Sequence, residues 1–149
     1  MPTDLISLIG NYNRKLFVGI GNVLKRDDGI GVYIARRIAE SNTIKVLIVE
    51  ASIENYIGKI NSMPHDVLIL IDAVNFSQKP GYYSVLATEE ILDYTTNTHN
   101  ISIPKLLGFF KSKVLILGIQ PKSVSLGEKI SGPLKKQADH LLKMINESR

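Results

Sequence analysis

The chain has 149 residues, 44% apolar and 21% charged, with a formal net charge of +4 and no cysteine. That length suits one domain, spanning 1–149, with a core of its own, and the missing thiols exclude a disulfide framework, a thiolate metal site and a cysteine nucleophile. The lysines are scattered rather than gathered into a basic stripe interleaved with aromatics, so the charge reads as solvated surface and no nucleic-acid partner is expected.

In chain order, Met1-Pro2-Thr3-Asp4 has no basic region leading into an apolar stretch, which argues against a signal peptide. The longest apolar runs, such as Val67–Ile71, are far too short to span a bilayer. A cytoplasmic monomer without membrane insertion is therefore expected. Leu16–Ile20 reads as a first strand. Gly29–Glu40 reads as a helix with Ile30, Ile34, Ala35 and Ile38 on one face. Ile44–Glu50 is a second strand, Ile53–Asn61 a short helix, and Val67–Asp72 a third strand, uninterrupted as expected for a central strand covered on both faces. Tyr82–Ala87, introduced by the Pro80-Gly81 turn, is a fourth strand. Ser102–Phe110 reads as a helix with Pro104 in its first turn, and Val114–Ile119 as a fifth strand. The last helix starts near Ser131 and buries Leu134, Ala138, Leu141, Leu142 and Ile145. Such alternation predicts an α/β/α sandwich: a twisted, mostly parallel five-stranded sheet with helices on both faces.

Ligands of such sheets sit beyond the carboxyl ends of the strands. The polar residues there are Asn22 and Asp27-Asp28 after strand one, Glu50, Ser52 and Glu54 after strand two, Asp72 and Asn75 after strand three, and Gln120 after strand five. His99 lies in the polar loop Thr95–Asn100. Each has an ordinary structural explanation. Asp28 fits a first-turn carboxylate on a helix dipole, Asp72 a turn cap, and His99 a loop residue. Together, Asp28, Asp72 and His99 at one rim form a three-ligand set with open positions, whose oxygen and nitrogen donors suit zinc or nickel. A metal so held polarises a carbonyl or lowers the pKa of bound water. Asn22 and Gln120 are expected near the set, supporting the ligands or contacting peptide.

Other chemistries fit worse. Gly19-x-Gly21 lacks the third glycine of a dinucleotide loop, since position 24 is Leu, and no P-loop is present. No Gly-x-Ser-x-Gly elbow supports serine hydrolysis. No His-Glu-x-x-His helix exists, and His65 and His140 read as structural or surface residues.

Gly19-Ile20-Gly21-Asn22 followed by Asp27-Asp28-Gly29-Ile30-Gly31 resembles the N-terminal signature of the nickel-dependent hydrogenase maturation proteases. Glu54-Asn55-Tyr56-Ile57-Gly58-Lys59-Ile60 is similar to the next stretch of their formate-hydrogenlyase branch. Ile71-Asp72-Ala73-Val74, Thr98-His99-Asn100-Ile101-Ser102 and Gly118-Ile119-Gln120-Pro121 match the central aspartate strand, the histidine loop and the last strand, in order. The resemblance implies an endopeptidase that removes a C-terminal extension from the large-subunit precursor of a [NiFe] hydrogenase after nickel insertion. It carries catalytic and metal-contacting roles to Asp28, Asp72 and His99. The nickel would be substrate-borne, with zinc or another divalent ion able to occupy the same donors in vitro. Many members carry Glu where this chain has Asp28, one methylene shorter. With no cysteine and no serine elbow, the expected nucleophile is a water activated by metal or by carboxylate.

Two other classes share features of the pattern. A receiver domain also has an acidic pair, an aspartate ending strand three and a lysine after strand five, here Asp27-Asp28, Asp72 and Lys122. Its acidic pair must sit directly at the strand end to hold Mg²⁺, whereas Gly21–Arg26 intervene here. A non-catalytic metal- or peptide-binding module is the other alternative.

Overall fold

The apolar runs of the sequence pair into one sheet. The computed structural model describes residues 5–50, 52–87, 90 and 106–148. β1 (Lys15–Ile20) lies parallel to both β2 (Ile44–Val49) and β3 (Val67–Ala73). After the short β4 (Tyr83–Leu86) comes β5 (Lys113–Ile119), parallel to β3 and antiparallel to β4. The strand order is β2-β1-β3-β5-β4. β1 and β3 are buried along their whole length, which is why both read as unbroken apolar runs rather than as alternating ones. β4 is shorter than the expected Tyr82–Ala87: Tyr82 sits in the turn before the ladder, where its carbonyl accepts a hydrogen bond from the Gln120 amide.

Side chains alternate across the sheet and build two cores. On one face α1 (Leu5–Gly10), α2 (Ile30–Ala35) and α4 (Gly132–Glu147), the last following α3 (Ile57–Ser62) in the chain, supply Leu5, Ile9, Ile30, Ile34, Leu134 and Leu141. They pack against Phe17, Ile69, Ile71, Leu115 and Leu117. On the other face Ile53, Ile60, Leu106 and Phe110 cover Leu16, Val18, Leu68, Leu70 and Ile116. α4 buries the five residues its periodicity singled out. Among the described residues no helix is long and apolar enough to cross a membrane.

Three elements depart from expectation. α1 had no counterpart in the sequence reading, because six residues are too few to display a helical period. The expected helix Gly29–Glu40 divides into a 3-10 turn, Arg26–Gly29, and a shorter α2. Its end is set from a distance: Asn146 of α4 accepts the Ala39 amide at 2.8 Å and donates to the Arg37 carbonyl at 3.4 Å. Ser102–Phe110 lies partly outside the described residues; within them, Leu107–Phe109 forms a 3-10 turn.

Candidate active site

From β1 the chain leaves toward β2 on one side and returns through β3 on the other. This creates a topological switch point between the carboxyl ends of β1 and β3, the crevice where open α/β sheets receive ligands. Gly19 pairs with Ile71, so Asp72 lies level with Ile20 at that opening. By alternation Asp72 shares a face with Leu68 and Leu70. It is fully buried, and its Oδ1 accepts the Ala73 amide at 2.8 Å.

The loop after β1 brings Asp28 to the same opening. Gly21, at φ 144, accepts the close passage of the chain: a Cβ there would lie 2.0 Å from the Asp28 carbonyl oxygen. Gly31, three residues beyond Asp28, lets the start of α2 press onto the strand ends, where a Cβ would meet the Ile71 carbonyl at 2.0 Å and the Ile20 carbonyl at 2.4 Å. Between these two close approaches Asp28 is held almost fully buried, its Oδ2 accepting the Asn22 amide at 3.0 Å. Asn22 in turn accepts the Leu24 amide on its side chain at 2.9 Å, closing the turn. So Asn22 does support Asp28, through its backbone.

Gln120 behaves differently from the expectation of a peptide contact. It is buried, its Oε1 accepts the Phe76 and Gln78 amides at 2.6 and 3.3 Å, and its Nε2 donates to Asn75 and to the Pro121 carbonyl, both at 3.3 Å. Its amide is fully engaged in holding the β3–β4 loop. His99 lies outside the described residues. Among the described residues no three His, Asp or Glu side chains gather into a metal-ligating group; only two members of the proposed set fall there.

Sequence reasoning assigned no separate role to Asp27. This fully buried carboxylate accepts four hydrogen bonds: from the Lys122, Ser123 and Ser131 amides at 2.8, 3.2 and 2.7 Å and from the Ser131 hydroxyl at 2.8 Å. It staples the loop carrying Asp28 to the loop between β5 and α4. Its partners lie 95 to 104 positions away, so no local signal could have found them. Asp27→Ala is expected to cost about 1–3 kcal/mol, since it leaves partly buried amides and a hydroxyl without their acceptor. Hydrogen exchange should quicken at residues 122, 123 and 131; unchanged exchange there together with unchanged thermal unfolding would refute the staple.

His65 is also tied into the fold, at the opposite end of the sheet. Its ring nitrogens contact the Met63 carbonyl at 2.7 Å and the Ser112 hydroxyl at 2.8 Å. Beside it Arg14 and Asp66 form an exposed ion pair at 3.1 Å, and the guanidinium holds the Asp66 carboxyl below its ordinary range, first by hydrogen bonding.

A family model described as HycI, hydrogenase maturation protease, matches residues 30–148. The chain belongs to the hydrogenase maturation protease family. It is thus a peptidase, a hydrolase of peptide bonds. The matched span contains Asp72 and His99 and begins two residues after Asp28. The chain is similar to the crystal structure of the [NiFe] hydrogenase maturation protease HycI from Thermococcus kodakarensis, at TM-score 0.83 and 26% identity over 97% of each chain. The Escherichia coli endopeptidase HycI shares the fold at TM-score 0.79, with 24% identity over 90% of each chain. A hydrogenase maturation protease homologue of Methanocaldococcus jannaschii is 26% identical over 99% of this chain and 95% of its own length. The receiver alternative also fails on topology: the protease has an antiparallel edge strand, β4, and places β5 beside β3, whereas the receiver-type order runs 2-1-3-4-5.

Proposed function

We propose that residues 1–149 act as one protease domain that removes the C-terminal extension of a [NiFe] hydrogenase large-subunit precursor after nickel insertion. In this reading Asp28, Asp72 and His99 recognise the nickel already bound to the precursor. The observation that carries it is the burial of two carboxylates, Asp28 and Asp72, at the β1–β3 switch point in a chain of this family. His99 stands seven positions before Leu106, which packs on the face Asp72 shares. The reading assigns His99 to the same opening.

The metal belongs to the substrate. Precursor cysteines hold it, and the protease supplies hard and borderline donors that complete its coordination. An unloaded precursor leaves the site incomplete, so cleavage follows loading, a case of specificity through assembly of the site. The reaction adds water across one amide: the water oxygen bonds to the carbonyl carbon, the C–N bond breaks, and the leaving nitrogen takes a proton. A buried carboxylate at the opening can accept the water's proton, and a divalent ion can lower that water's pKa. Zinc or another divalent ion is expected to occupy the same donors in vitro. The reading places the protease in the cytoplasm as a monomer, meeting the precursor before the hydrogenase is assembled.

The test is mass analysis of a large-subunit precursor incubated with the protease, with and without nickel loading. One C-terminal fragment should be released only from the loaded precursor; equal release from both would overturn nickel recognition. Asp28→Glu should retain most processing. The family resemblance places Glu at this position in many members, and the longer side chain keeps the carboxylate chemistry. Loss of all processing in a folded Asp28→Glu protein would show that the Asn22–Asp28 turn tolerates no extra methylene.

A further inference from the structure

One residue from Asp28, on the same rim, the loops after β1 and β5 enclose a cavity of about 490 Å³. Arg26, Lys122 and Lys129 supply its cations, and Ser123 and Ser125 supply hydroxyls. Its one carboxylate, Asp27, already accepts four hydrogen bonds from backbone amides and the Ser131 hydroxyl. Three cations therefore face one carboxylate, whose single negative charge leaves the cavity lining net positive. Among the described residues the ion pairs are Arg14–Asp66 and Arg36–Glu50, so none of the three cations is paired with a described carboxylate. Glu128, next to Lys129 in sequence, lines a separate cavity with Arg36 and Arg37.

The cavity wall is built rather than incidental. The two loops are zipped by backbone bonds from Arg26 to Gly127 at 2.7 Å, Gly127 to Leu24 at 2.8 Å and Asp27 to Ser123 at 3.0 Å. Arg26 stands at φ 47, and its guanidinium lies over Gly127, where a Cβ would come within 2.9 Å of Cζ and Nε. The absence of a side chain at 127 thus makes the seat for Arg26. A planar guanidinium held in place, with two ammonium groups and hydroxyl donors around it, suits a carboxylate: the fork can engage both oxygens.

We propose that this cavity is a subsite for a carboxylate of the precursor's C-terminal extension, either an acidic side chain near the scissile bond or the terminal carboxylate. The proposal rests on the processing reading for its biological ligand, but its chemistry is tested without it. The probes are three short alanine-based peptides: one with glutamates and blocked ends, one with a free terminal carboxylate and no acidic side chain, and one with glutamines and blocked ends. Amide shifts of the whole protease are followed by NMR. The glutamate peptide, the free-carboxylate peptide or both should move resonances of Arg26, Ser123 and Ser125, and which of them does so identifies the source. The glutamine peptide should move none. The triple variant Arg26→Gln/Lys122→Gln/Lys129→Gln should weaken binding about tenfold, a few-fold for each partly exposed pair. Lys143→Gln on α4 should not. With loaded precursor, the triple variant should raise KM and leave kcat unchanged. No shifts with either carboxylate peptide, or equal affinity in the triple variant, would overturn the subsite. Failure of the native protease to cleave any precursor would instead overturn the processing reading and leave the titration result standing.

Discussion

Asp72→Asn is expected to abolish processing while leaving the protein folded. Asp72 is the last but one residue of a strand that is buried along its whole length, hydrogen-bonded to β1 on one side and β5 on the other. Its backbone is fixed in the sheet, whereas that of Asp28 lies in a 3-10 turn, and an amide of the same size does not disturb it. The Asn oxygen can still accept the Ala73 amide that Asp72 Oδ1 accepts at 2.8 Å. What disappears is the anionic oxygen that a divalent ion or a water proton requires. Replacing mere outer partners of metal ligands costs about ten- to a hundredfold, so removing the charge itself should lower cleavage by more than about a hundredfold. Thermal unfolding should move by only a few degrees, as about 1 kcal/mol corresponds to roughly 2–4 °C in a chain of this size. Precursor cleavage by mass, run beside thermal unfolding, checks both parts. Full cleavage by a folded Asp72→Asn protein would make the carboxylate structural, and the nickel-recognition reading would fall with it.

What the sequence displayed were the features with a local period. The apolar runs of β1, β3 and β5 and the buried stripe of α4 were readable because each repeats a burial pattern over several residues. Asp28 and Asp72 stood out as candidates because nearness to a strand's carboxyl end is itself a local property, although Asp72 lies within β3, one residue before its end. Asp27 was not, although it neighbours Asp28, because its four donors come from a loop about a hundred positions away. The same holds for the end of α2, set by Asn146. For Gln120, expected to support the ligands or contact peptide, the direction of the side chain stayed open for a related reason. A polar residue after a strand can face a ligand or fold back onto its own loops, and only the Phe76 and Gln78 amides decide between the two. The antiparallel direction of β4 is likewise a tertiary fact: a four-residue strand carries no mark of which way it will pair.

Two helical glycines should respond to alanine with opposite signs. Helix propensity alone favours Ala over Gly by about 1 kcal/mol at either position. Gly58, in α3, has nothing within 4 Å of where a Cβ would sit, so Gly58→Ala should stabilise by up to that amount. Gly31, in α2, faces backbone instead: the Ile71 carbonyl oxygen at 2.0 Å and the Ile20 carbonyl oxygen at 2.4 Å. Neither oxygen can rotate away, since both belong to β1 and β3 at the centre of the sheet. To regain ordinary contact α2 must lift by more than an ångström, which loosens Ile30 and Ile34 in the core and drags Asp28 from the opening. Overpacking of a tight interior costs about 1–3 kcal/mol and at times more, and a clash with two fixed carbonyls belongs at the top of that range. Gly31→Ala should therefore lower the unfolding midpoint by roughly 6–12 °C and reduce precursor cleavage at temperatures where the protein is still folded. Gly58→Ala should hold or raise the midpoint with cleavage unchanged. Equal midpoints for the two variants would mean that α2 does not sit against the strand ends as described, and the placement of Asp28 at the opening between β1 and β3 would lose its support.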